Sequence, residues 1–180
     1  SGAFPISYPN EWDKRHGRNG HGIWLHGTPS DTFSRPPKAS DGCVVLANRD
    51  LDALAKNLQI GLTPVIISNS IEWLSLDDWQ AERRALLDSI EAWRQDWESL
   101  DTGKYLAHYS IRFRSGNLNV EQWAAQKRQI NAGKQWIKVA ALNISMFRNP
   151  GQEELVVVTF DQDYRSSNLS NAMKKRQYWI

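Results

Sequence analysis

Apolar residues recur along the chain in two different rhythms, and the change between them falls near residue 70. Residues 1–42 are rich in Gly, Pro, His, Asn and Ser, the composition of long loops around a site, and only Gly22-Ile23-Trp24-Leu25-His26 reads as a strand. A short apolar run, Cys43-Val44-Val45-Leu46, follows. Asn48 is placed to cap a helix carrying Leu51, Leu54, Ala55 and Leu58 at i, i+3, i+4 and i+7, with Gly61 to end it. Thr63 to Ser68 predicts a closing strand, and Asn69 to Leu76 reads as a linker.

After the linker the period lengthens to that of amphipathic helices. Ser75 and Asp78 form a capping-box-like Ser-x-x-Asp before a long helix with Leu86, Ile90, Trp93, Trp97 and Leu100 on one face. Tyr105 to Phe113 fits strand and helix equally. A second helix runs from about Val120, capped by Asn119, to Gly133. Three strands follow, Gln135–Phe147, Glu153–Tyr164 and Ala172–Ile180, the first two joined by the turn Asn149-Pro150-Gly151. In the first of these the apolar phase switches from Ile137 and Val139 to Leu142, Ile144 and Met146, which predicts a bulge or bend near Ala140. The reading is an α+β chain with a first domain over 1–68, a linker over 69–76 and a second domain over 77–180.

Composition narrows the classes. With 180 residues, 41% hydrophobic and 23% charged, the chain can bury a core, as one domain or two small ones. Its formal charge of +2 gathers into no basic stripe, which argues against a nucleic-acid partner. No apolar run has the roughly 18 residues of a membrane span. A single cysteine forms no internal disulfide, so any thiol chemistry comes from Cys43.

Cysteine attacks as the thiolate, and an imidazole that takes its proton makes it reactive at neutral pH. His26 is the candidate base. Gly27 follows it and Gly42 precedes Cys43, places where the backbone turns sharply and leaves room for a substrate, and N–H groups near Gly42 and Cys43 could stabilise an oxyanion. From the residues alone, a lone cysteine such as Cys43 is more often a small buried hydrophobe. His16, His21 and His26 recur at five-residue intervals, which fits neither a helical i, i+4 pair nor usual zinc spacing, so no metal or cofactor is expected. His21 and Trp24 read as scaffold or cleft wall, and most of the other tryptophans as core.

The complete string is more specific. His26-Gly27-Thr28-Pro29-Ser30 followed by Ser40-Asp41-Gly42-Cys43-Val44 resembles the signature of the L,D-transpeptidase catalytic domain, the YkuD-like family, over about residues 1–68. The resemblance implies Cys43 as acyl-accepting nucleophile, His26 as general base and then acid, and the Gly27 carbonyl orienting the imidazole. Ser40 and Gly42 match positions that shape the loop and oxyanion hole. Many members carry His where Asp41 stands and Arg or Asn where Val45 stands, so carboxylate binding is expected to pass to Arg35, Lys38 or Arg18. The second half, a long helix, a shorter one and bent antiparallel strands rich in Trp, resembles the cone-shaped fold of nuclear-transport-factor-2-like domains, with a pocket for a ligand or partner. Together these imply a β-rich catalytic domain represented by its C-terminal part, then a cone-shaped α+β domain, acting on peptidoglycan stem peptides in a Gram-negative periplasm. The activity implied is L,D-carboxypeptidase or transpeptidase; the alternative is a binding module that retains the motif. Because the family sets several strands before His-Gly, the chain is expected to be a fragment at both ends, with unpaired strand edges around Ile23–His26 and Tyr178–Ile180.

Overall fold

The structure, a computed structural model, describes residues 2–180. It divides into two compact units between Val65 and Ile66.

The first unit contains β1 (Ala3–Pro5), α1 (Glu11–Arg15), β2 (Trp24–His26), β3 (Val44–Val45) and α2 (Asn48–Ala55). β2 is the middle strand, antiparallel to β1 and parallel to β3. Both of its edges are therefore paired, and the Ile23 carbonyl also accepts from the Ile6 N–H, so the expected unpaired edge at Ile23–His26 is absent. β1 and α1 lie inside the segment read as loop. α1 depends on local polar chemistry that leaves no apolar period: Asn10 and Asp13 form a reciprocal capping box, and Asp13 also pairs with Arg18 at 3.1 Å.

Three expectations are corrected here. α2 ends at Ala55, and Gly61 sits in a later turn with φ +79°. Its N-cap is Ala47, whose side chain offers no acceptor; Asn48 is the first helical residue, and its amide donates to the Thr28 carbonyl. Thr63 to Ser68 forms no strand; its apolar content suits a buried strand, but no neighbour pairs with it, and Val65, Ile66 and Ile67 are exposed.

The second unit contains α3 (Leu76–Glu98), α4 (Thr102–Ala107), β4 (Arg114–Ser115), β5 (Leu118–Asn119), α5 (Val120–Ala132), β6 (Ile137–Asn149), β7 (Gln152–Ser166) and β8 (Leu169–Trp179). Ser75 caps α3 by accepting from the Asp78 N–H, and Asn119 with Gln122 makes a full capping box on α5. β7 is central in the antiparallel sheet β6-β7-β8, and Tyr178 and Trp179 of the edge strand β8 pair with Val157 and Val156. Ile90, Trp93 and Trp97 on α3 pack with Tyr105, Val139, Val158, Phe160 and Tyr164 in one core. Each such side chain, fully buried, contributes roughly 1.5–3 kcal/mol. The ladder shifts register between Leu142 and Ser145, with Asn143 at φ +53°, rather than near Ala140. The edge of β6 is guarded by α3: the Glu98 carboxylate accepts from the Val139 N–H at 2.7 Å, and Arg94 donates to the Val139 carbonyl at 3.2 Å.

Candidate functional site

In the first unit the parallel register sets Leu25 against Val44 and His26 against Val45, which places Trp24 alongside Cys43. Side chains alternate along a strand, so Trp24, His26, Cys43 and Val45 belong to one face. Two residues along and one strand across puts the α-carbons of His26 and Cys43 about 8 Å apart, within reach of side chains turned toward each other. The backbone also locks the two: the Leu46 N–H donates to the His26 carbonyl at 3.0 Å.

His26 Nδ1 lies 2.6 Å from the Gly27 carbonyl. A carbonyl only accepts, so in the neutral ring Nδ1 carries the proton and Nε2 keeps the lone pair a base needs. The Cys43 thiol donates to the Gly22 carbonyl at 3.6 Å, and among the described residues no hydrogen bond joins it to the imidazole. Ser40 Oγ donates to the Cys43 carbonyl at 2.7 Å, closing the loop ahead of the nucleophile. Gly42 has φ +99°, a conformation that favours glycine, and a Cβ there would lie 2.8 Å from Cδ1 at the flexible end of Ile23.

Trp24, 45% exposed, lines a cleft of about 490 Å³ with Gly2, Ala3, His26, Gly27, Thr28 and Asn48. Arg18 is committed to Asp13, while Arg35, Lys38 and His21 are exposed and do not line this cleft. His16 bonds the Trp12 carbonyl and packs at a tilt against the Trp12 ring. Among the described residues no group of His, Cys, Asp or Glu could hold a metal. Sequence reasoning missed two participants, Gly22, which holds the thiol through a carbonyl that every residue has, and Asn48, which had been assigned to a cap.

The second unit carries a separate chemical feature. Lys127 Nζ of α5 sits 4.1 Å from the centre of the Trp123 ring and 5.7 Å from that of Trp97. Burial, with Lys175 nearby, lowers its pKa from 10.5 to about 8, and burial lowers Lys175 as well. Lys175 lies opposite Phe160 in the β7–β8 register, so it belongs to the sheet face that meets the helices. Neither lysine has a carboxylate partner among the described residues. Trp123 Nε1 and Gln162 Oε1 are buried and have no hydrogen-bond partner among the described residues; Gln162 lies on the same face of β7 as Phe160 and Tyr164. Two desolvated cations, one of them over indole rings, form a setting for an anionic group.

These units define a two-part protein, an L,D-transpeptidase-type segment bearing Cys43 and His26 and a cone-shaped α+β unit. The L,D-transpeptidase catalytic domain model (YkuD) matches residues 1–67, and the model of the Cds6 C-terminal NTF2-like domain matches residues 85–180. The chain belongs to the family defined by that NTF2-like domain, here preceded by L,D-transpeptidase sequence. It is similar over 98% of its length to Bd1075 of Bdellovibrio bacteriovorus, at 30% identity and a TM-score of 0.81, covering 64% of that chain. It is also similar over 98% of its length to the helical cell shape determining protein Pgp2 of Campylobacter jejuni, at 28% identity and a TM-score of 0.69, covering 62% of that chain. A point mutant of Pgp2 matches at 27% identity with a TM-score of 0.71. The chain thus spans less than two thirds of these proteins. A comparison with curated proteins returned no match.

Proposed function

We propose that this protein trims or cross-links peptidoglycan through a Cys43 acyl-enzyme, in the periplasm of a Gram-negative cell. The observation that carries the reading is the His26 Nδ1 to Gly27 carbonyl bond, which leaves Nε2 as a base on the sheet face shared with Cys43. In the first step the thiol leaves the Gly22 carbonyl, gives its proton to Nε2, and attacks the carbonyl carbon of an L,D peptide bond in a tetrapeptide stem. The tetrahedral oxyanion forms beside the N–H groups near Gly42 and Cys43. Its collapse breaks the C–N bond; the imidazolium returns the proton to the departing D-amino acid, and a thioester remains. Water as acceptor makes the enzyme an L,D-carboxypeptidase, and an amine makes it a transpeptidase; hydrolysis is the favoured outcome, since family members with the cone-shaped domain include trimming enzymes. The likeness to a helical cell shape determining protein supports a murein role.

The second unit is proposed to bind murein without chemistry of its own, because Lys127 and Lys175 have no carboxylate partner among the described residues. Incubation with purified tetrapeptide murein tests the whole reading: tripeptide products mean hydrolysis and new cross-links mean transpeptidation. Binding without turnover in both wild type and Cys43→Ala would reduce the protein to a binding module.

A further inference from the structure

The residue that follows β3 into α2 does something other than begin a helix. Asn48 has its Nδ2 3.0 Å from the Thr28 carbonyl, donating to it, although twenty residues separate them. Its Oδ1 is buried and has no hydrogen-bond partner among the described residues, and a Cβ on Gly27 would lie only 2.0 Å from that oxygen. Asn48 and the Gly27 backbone are therefore interlocked, with Leu51 Cδ2 3.5 Å from the same point. A buried acceptor without a donor is costly to keep. That cost is accepted while the amide holds the segment whose carbonyl receives His26 Nδ1–H.

We infer that Asn48 is a positioning residue, fixing the Gly27–Thr28 backbone so that the Gly27 carbonyl selects the Nδ1–H tautomer of His26 and leaves Nε2 free. The connection is short in both directions. Asn48 comes five residues after the nucleophile, its partner Thr28 two residues after the base, and the Leu46 N–H to His26 carbonyl bond lies between them. Thr28 is itself buried, with its hydroxyl donating to the Thr32 carbonyl, so the Asn48 amide and this hydroxyl hold the same residue, next to the Gly27 carbonyl. The clamp thus ties the strand that carries the base to the strand that carries the thiol. This inference rests on reading His26 as the base, but its direct readout does not.

The test is nitrogen-15 NMR of histidine-labelled full chain, in which the shifts of the two ring nitrogens report the tautomer of His26, assigned by comparison with His26→Ala. Wild type is expected as Nδ1–H. Asn48→Ala is expected to lose that preference and to slow alkylation of Cys43 at neutral pH by about tenfold or more, within the range general-base contributions span. Asn48→Asp, the same shape without the donor, serves if the alanine variant fails to fold and should give the same loss of tautomer. Leu51→Val, which loosens the same loop without touching the amide, should lower the melting temperature and leave the tautomer unchanged. A folded Asn48→Ala or Asn48→Asp protein with His26 still fully Nδ1–H would overturn the inference. If instead the tautomer changes while His26→Ala alkylates as fast as wild type, the clamp stands and the base assignment fails.

Discussion

Lys127 should cost the fold stability, and removing its charge should return it. Lowering the ammonium pKa from 10.5 to about 8 corresponds, at about 1.4 kcal/mol per tenfold change in proton affinity, to roughly 3 kcal/mol. Residual solvent contact reduces this to about 2 kcal/mol. The Trp123 and Trp97 rings offset part of it, about 0.5–1 kcal/mol. Lys127→Met keeps an aliphatic stem on the indoles and removes the cation, so a net gain of about 1 kcal/mol is expected at pH 7. For a unit of this size that is a rise of roughly 4–8 °C in melting temperature. The pH dependence fixes the sign. Between pH 8 and 10.5 the unfolded chain holds a proton at this site that the folded chain has released, so wild-type stability rises with pH through that window. Below pH 8 both states are protonated and the penalty is constant. Urea unfolding of wild type and Lys127→Met at pH 7 and pH 10 should therefore show the variant's advantage shrinking as pH rises. An advantage that stays constant, or a variant less stable at pH 7 by 1 kcal/mol or more, would refute the reasoning. A lysine that costs stability and lacks a carboxylate partner is what an anion-binding role requires, so the same variant should sediment less with murein while Cys43 alkylates at the wild-type rate.

Other outcomes follow from single contacts. Cys43→Ser is expected to abolish turnover on tetrapeptide murein with a melting temperature close to wild type, since the thiol's hydrogen bond to the Gly22 carbonyl is a long one of 3.6 Å; a large fall in stability with residual turnover would mean a packing role. Gly27→Ala brings a methyl to 2.0 Å from Asn48 Oδ1, so it should expel the Asn48 side chain, cost more than about 1 kcal/mol, and slow Cys43 alkylation as His26→Ala does. Burial opposes ionisation of Glu98, but hydrogen bonds from the Val139 N–H, Lys138 and Arg94 outweigh it and hold the carboxyl below 4.5. Its contribution is therefore present above pH 4.5 and lost as pH falls further; Glu98→Gln should cost about 1–3 kcal/mol at pH 7 and flatten the acid limb of the unfolding profile.

Legibility in the sequence tracked how local each interaction is. The elements α3, α5 and the three long strands were readable because Ser75, Asn119 and the Trp93–Trp97 spacing state their roles within a few residues. β1 and α1 were not: three residues give no period, and α1 is held by the Asn10–Asp13 capping box inside a polar stretch. The bulge was expected from a phase switch near Ala140, yet sequence cannot say which of several residues yields, and the shift falls where Asn143 accepts a positive φ. At the site, Cys43 and His26 could be singled out by their chemistry, while the roles given to Gly27, Ser40 and Gly42 came from the resemblance of the His-Gly and Ser-Asp-Gly-Cys strings to the L,D-transpeptidase signature. Gly22 was invisible because it acts through a carbonyl, and Asn48 because its nearest use, the helix cap, explains its presence so well that a partner twenty residues away is not sought. The Lys127–Trp123 pair had a local signal, four residues apart on α5, but Lys175 reaches the same face only through the β7–β8 register. What escapes reading is thus specific: groups whose local role is sufficient and whose functional partner is brought by tertiary structure. In this chain those groups, Asn48 and Lys175, are the ones on which orientation of the base and capture of an anionic ligand are proposed to depend.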